Sequence, residues 1–131
     1  MCVATEFALV GLELITSHTR RAEVAARLAS RRRTVIPLSR RQVREFAGNA
    51  IELDGSDSRV LALSRRALAS LEPSQVAIIE RSCTLLPVDV PTIELAGGSV
   101  RCMIAGVHLD RRTTSSEPPV RQTSSVPATL G

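Results

Sequence analysis

The chain has 131 residues, 44% of them hydrophobic, which suits one domain with a modest core and excludes a chain disordered throughout. Its formal net charge is +4, every basic side chain is arginine, and Phe7 and Phe46 are the only aromatics. The basic runs Arg31-Arg32-Arg33, Arg40-Arg41 and Arg65-Arg66 are scattered and flank acids, so they read as solvated surface and argue against a nucleic-acid platform of stacked aromatics.

Three cysteines with no Cys-x-x-Cys suggest neither a disulfide framework nor a zinc site. The first 15 residues are apolar, but they carry Glu6 and Glu13 and no positive leader, which argues against a signal peptide. No run approaches the roughly 20 apolar residues that span a bilayer. The expectation is a cytoplasmic protein with no membrane partner.

In chain order, "FALVGLELI" (7–15) reads as a strand, and Val24, Ala25 and Leu28 mark one face of a helix within "EVAARLASRR" (23–32). "TVIPLS" (34–39) is a second strand. Ser39 can N-cap a short helix, "RRQVREFAG", which Gly48 is placed to end, with Asn49 in the following turn. "AIEL" and "RVLALS" flank Asp54-Gly55-Ser56-Asp57-Ser58, a hairpin signal. Leu68, Leu71, Val76 and Ile79 are helical positions, interrupted at Glu72-Pro73-Ser74. "TLLPVD" (84–89) then repeats "TVIPLS" 50 positions on, and "DSRVLALSR" (57–65) and "SQVAIIERSC" (74–83) fall opposite the two earlier blocks. The chain is therefore α/β, a β-β-α-β unit present about twice. Two such units seldom bury a continuous core alone. From residue 110 the sequence is rich in Ser, Thr and Pro without periodicity, so 111–131 is expected to be a disordered tail.

The chemistry concentrates in "PTIELAGGSVRCMIAGVHL" (91–109). Pro91 is taken to start a strand carrying Glu94, and Cys102 to head the last strand. Between them Gly97-Gly98 permits positive φ and close backbone approach, and Ser99 can cap a single helical turn. A cysteine at such a turn, with Arg101 beside it, can be a thiolate nucleophile; a small buried hydrophobe is the alternative. A general base would have to be His18 or His108. His108 lies about 20 Å from Cys102 along an extended strand, too far for a dyad. His18, in "TSHTRR", reads as a surface loop or helix start.

"EFAGNAIEL" (45–53), "LALSRRALASL" (61–71) and "VDVPTIELAGGSVRCMIAGVHL" (88–109) resemble the C-terminal part of the amidinotransferase / arginine deiminase (pentein) superfamily, most closely the citrulline-utilisation hydrolases. The resemblance covers residues 1–110 and implies a five-bladed α/β propeller, of which this chain supplies about two blades: a partial α/β propeller. It implies that Cys102 attacks the guanidino or ureido carbon of an arginine-like small molecule, by hydrolysis or amidino transfer. Asn49, Gly97 and Gly98 are the implied substrate-binding residues, with no metal and no organic cofactor. The family histidine is expected just before Met1 and the guanidinium-gripping acids earlier still; Glu6, Glu13 and Glu94 do not map onto those roles. The expected outcome is a truncated enzyme, inactive alone. The alternative is an interaction module that self-associates or completes an upstream fragment as a split enzyme.

Overall fold

All four residues of Phe7–Val10 are buried, which a strand achieves only when both faces of its sheet are covered. In the computed structural model, which describes residues 1–30 and 32–107, this strand is β2, flanked by β1 (Cys2–Val3) and β3 (Thr34–Pro37). The β1 pairing is antiparallel and the β3 pairing parallel. The second sheet repeats the plan: β4 (Ile51–Asp54) lies antiparallel and β6 (Thr84–Val88) parallel to the central β5 (Arg59–Ser64). Two three-stranded sheets with helical crossovers make the α/β, two-unit chain that the repeat predicts.

Register refines the repeat. Phe7 faces Thr34 and Val60 faces Thr84, so the counterpart of Phe7 is Val60, where the sequence alignment puts Asp57. The two crossovers differ in build. In the first, α1 (His18–Ala29) is one 12-residue helix whose Ser17 N-cap accepts from the Arg20 N–H. Val24, Ala25 and Leu28 form its half-buried stripe, as their spacing predicts. In the second, α3 (Arg65–Ser70) stops at extended Leu71, and α4 (Pro73–Ile79) restarts with Pro73 in its first turn. That is the break read at Glu72-Pro73-Ser74.

Between the units, α2 (Arg40–Arg44) is closed at its start by a reciprocal Ser39–Gln42 capping box. It is shorter than "RRQVREFAG" suggests. The left-handed residue that ends it is Phe46, at φ 62°, and not Gly48. A side chain at Gly48 would stand 2.9 Å from the Met1 nitrogen, so that glycine serves close packing instead of a cap.

Two further expectations are corrected. Pro91–Leu95 is a helix, α5, and not a strand: a proline φ suits the first helical turn as well as a strand start. Ile104–Val107 forms no strand after Cys102. His108, the remainder of the expected last strand and the tail 111–131 lie outside the described residues.

One hydrophobic cluster serves both units. Phe7, Leu9 and Ile36 of the first sheet join Leu61 and Leu63 of the second, with Ile79, Cys2 and Cys83 between the layers. Two polar ties cross the same seam. Glu52 on β4 accepts from the Thr5 N–H at 2.8 Å and the Thr5 hydroxyl at 2.7 Å. Gln42, 3% exposed, donates to the Ser70 carbonyl at 2.9 Å and to Gln75 Oε1 at 2.7 Å, and Gln75 in turn donates to the Pro37 carbonyl at 2.8 Å.

Gln42→Ala leaves the Ser70 carbonyl and Gln75 without their buried donor. Unfolding by urea should show a loss of about 1–3 kcal/mol at unchanged m-value.

Candidate active site

The stop signal of α5 builds the site. Ala96 caps the helix, the Gly97 N–H bonds the Glu94 carbonyl at 3.1 Å, and the Gly98 N–H reaches back to the Ile93 carbonyl at 3.2 Å. This is a Schellman ending, with Gly97 in the left-handed position at φ 87°. Gly98 has a different task. A Cβ there would lie in van der Waals contact with Cys102 Cβ and Ile93 Cγ2 at 3.4 Å and 3.8 Å from Cys102 Sγ, so the thiol packs directly beside this glycine.

A 3-10 turn follows, Val100–Met103. Val100 is buried and anchors it. Ser99 is fully buried, and its hydroxyl does not cap the turn. It donates to Glu94 Oε1 at 3.2 Å, tying the turn back to α5. Glu94 thus has a structural partner, and it also lines a cleft of about 370 Å³ with Arg65, Arg66, Val88 and Asp89.

Cys102 projects from this turn into solvent. Its Sγ accepts a hydrogen bond from Asn49 Nδ2 at 3.1 Å, while Asn49 Oδ1 accepts from the Arg101 N–H at 3.0 Å. The Asn49 bond holds the thiol pKa below its ordinary value, helped by a backbone hydrogen bond at Ser99 and by the charge of Arg101, against a smaller opposing effect of burial. The other two cysteines behave oppositely. Burial pushes the Cys2 thiol up to about 11 and raises that of Cys83. The reading of a small buried hydrophobe suits Cys2 and Cys83 and fails for Cys102.

Asn49, Gly97, Gly98 and Cys102 therefore meet at one place. His18 does not join them: it is the exposed first residue of α1, and no hydrogen bond links it to Cys102. Glu6 and Glu13 are exposed in the first unit. Among the described residues no three His, Cys, Asp or Glu side chains converge as metal ligands would, and no helix is long and apolar enough to cross a membrane. The bond between Ser99 and Glu94 has no sequence signal beyond their five-residue separation.

Compared with known families, residues 1–109 match N,N dimethylarginine dimethylhydrolase, eukaryotic. The chain belongs to this family. The dimethylarginine dimethylhydrolases lie within the pentein superfamily, so the broader resemblance of the sequence is correct. The match takes in Asn49, Gly97, Gly98 and Cys102 and leaves out 110–131. No curated protein and no solved structure gives a match.

Exposure and acidity separate the three thiols. Iodoacetamide should place one adduct on the native chain, at Cys102, and three after denaturation, as counted by intact mass. The native rate should reach half its maximum at a lower pH than a cysteine peptide does, and fall as pH drops through the Cys102 pKa.

Proposed function

We propose that the chain carries the nucleophile of a hydrolase acting on methylated guanidino groups of arginine-like substrates, with Cys102 as that nucleophile. The observation that carries the reading is a single exposed thiol of lowered pKa, at a rigid glycine turn, in a chain of the dimethylarginine dimethylhydrolase family. The Cys102 thiolate adds to the guanidinium carbon, forming C–S. The C–N bond to the methylated nitrogen breaks, the amine leaves with a proton, and a thiouronium remains on Cys102. Water then adds to that carbon, the C–S bond breaks, and a ureido product departs as the thiolate returns. Gly97 and Gly98 leave room for a planar group to approach Sγ, and Asn49 borders the same space. The steps call on no metal and no organic cofactor. The family match favours a methylated arginine over the substrates of the citrulline-utilisation branch.

Leaving-group departure needs an acid and the guanidinium needs countercharges. Glu94 is engaged by Ser99, and no histidine is bonded to Cys102 among the described residues. We assign those groups to a polypeptide segment that completes the site, so that the chain alone turns over slowly. A second reading, self-association or complementation by an upstream fragment, rests on exposed apolar side chains at Met1, Val3, Leu86 and Leu95. Sedimentation equilibrium should show mass rising with concentration if the chain self-associates; a strict monomer would remove self-association and count against the exposed edges.

An isothiourea analogue of arginine tests the chemistry, because its thiolate leaves without a proton. The chain should release methanethiol from it at least about 100-fold faster than dimethylamine from dimethylarginine, since a general acid contributes 10²–10⁴. Cys102→Ala should abolish both. Methanethiol release that survives Cys102→Ala would sink the proposal.

A further inference from the structure

We infer that Asn49 is a positioning residue for Cys102: its carboxamide clamps Sγ to the backbone of the Val100–Met103 turn. The inference deepens the reading of Cys102 as nucleophile, but the clamp can be tested without turnover.

A carboxamide is planar, with a donor and an acceptor fixed on opposite sides. Nδ2 donates to Sγ at 3.1 Å while Oδ1 accepts from the N–H of the preceding residue, Arg101, at 3.0 Å. The two bonds agree on one orientation of the amide, and together they set the thiol's direction relative to its own backbone. Aspartate could keep the bond to Arg101 N–H and could not donate to sulfur. Alanine would lose both.

The clamp has a rigid mount. Asn49 sits in the turn after α2, where its N–H bonds the Phe46 carbonyl at 2.7 Å. Ala47 and Ala50 on either side are fully buried. Phe46, in its left-handed conformation, is covered by the Arg66 guanidinium at 5.4 Å from the ring centroid, and Arg66 is bonded to Glu45. A donor held this way needs no reorganisation when the sulfur becomes a thiolate, and a hydrogen bond to a charged acceptor is about twice as strong as a neutral one. Both principal groups of the carboxamide are engaged inside the protein, which suits aiming the nucleophile.

Charged groups on the elements around the thiol are Arg101 on its own turn, Glu94 on α5, held by Ser99, and Glu45 and Arg66 beside the Asn49 turn, paired with each other. Neither substitution at Asn49 touches any of them.

The experiment is iodoacetamide alkylation of Cys102 against pH in the whole native chain, for wild type, Asn49→Ala and Asn49→Asp, with Cys102→Ser as the blank. Cys2 and Cys83 must stay unlabelled, which confirms that each variant is folded. Both variants should move the alkylation midpoint up by about one pH unit, slowing the reaction about tenfold at pH 7. Asn49→Ala is the stricter case, because Asn49→Asp also sets a carboxylate charge beside the sulfur, which raises the thiol pKa by itself. A wild-type midpoint in either folded variant would overturn the clamp. No methanethiol release by the wild-type chain, with the alkylation shifts as expected in the variants, would instead count against the catalytic reading alone.

Discussion

Everything in this molecule depends on two sheets sharing one core. Each unit offers a central strand buried on both faces, and three strands with one crossover cannot cover such a strand unaided. Phe7, Leu9 and Ile36 of the first sheet and Leu61 and Leu63 of the second therefore belong to one buried cluster, with β1 and β4 in contact between the sheets. Burying these side chains supplies the main drive to assemble the pair. Direction comes from the polar ties across the seam. Gln42 and Gln75 lock α2 against the α3–α4 crossover, and Glu52 holds the loop at Thr5. These bonds lose little by forming and much by being left half-made, so they select one relative placement of the units.

The candidate site lies at the start of the second unit and its last turn. Asn49 lies in the link between the units and Cys102 follows the last helix, and they are 53 residues apart in sequence. The pair forms because the Val100–Met103 turn packs against β5, the central strand of the second sheet, next to the link that leads into β4. Local rules then finish the geometry. The Schellman stop at Gly97 turns the chain back, buried Ser99 and Val100 pin the turn, and Gly98 packs directly beside the sulfur. The lowered Cys102 pKa results mainly from a hydrogen bond, so it depends on fixed geometry more than on net charge.

Strands and crossovers were legible because burial leaves a strong imprint. "FALV" and "LALS" are runs that only a covered strand tolerates, and the recurrence of "TVIPLS" as "TLLPVD" disclosed the unit. Ser39 and Glu72-Pro73-Ser74 were readable because capping and proline chemistry are local. Pro91–Leu95 was misread since five residues give barely more than one helical turn, too few for a period to show. Gly48 was misread because glycine has two uses, and contact with Met1, distant in sequence, decided between them. The residues of the site were named by resemblance, whereas the arrangement of Asn49 against both Sγ and a backbone N–H has no local signature. The split of three cysteines into two buried and one exposed likewise depends on tertiary packing.

The two prolines at matching places, Pro37 facing Val10 and Pro87 facing Leu63, carry a consequence for how large such a sheet can grow. On β3 the Thr34 and Leu38 N–H groups point inward to β2, so the intervening Pro37 nitrogen faces the open edge. A fourth strand laid there would find one of the edge donors missing at the C-terminal end of β3. Register places Pro87 alike on β6. The β3 and β6 edges are thus poor templates for a further strand, and a larger assembly would grow from the β1 or β4 edge or by stacking faces.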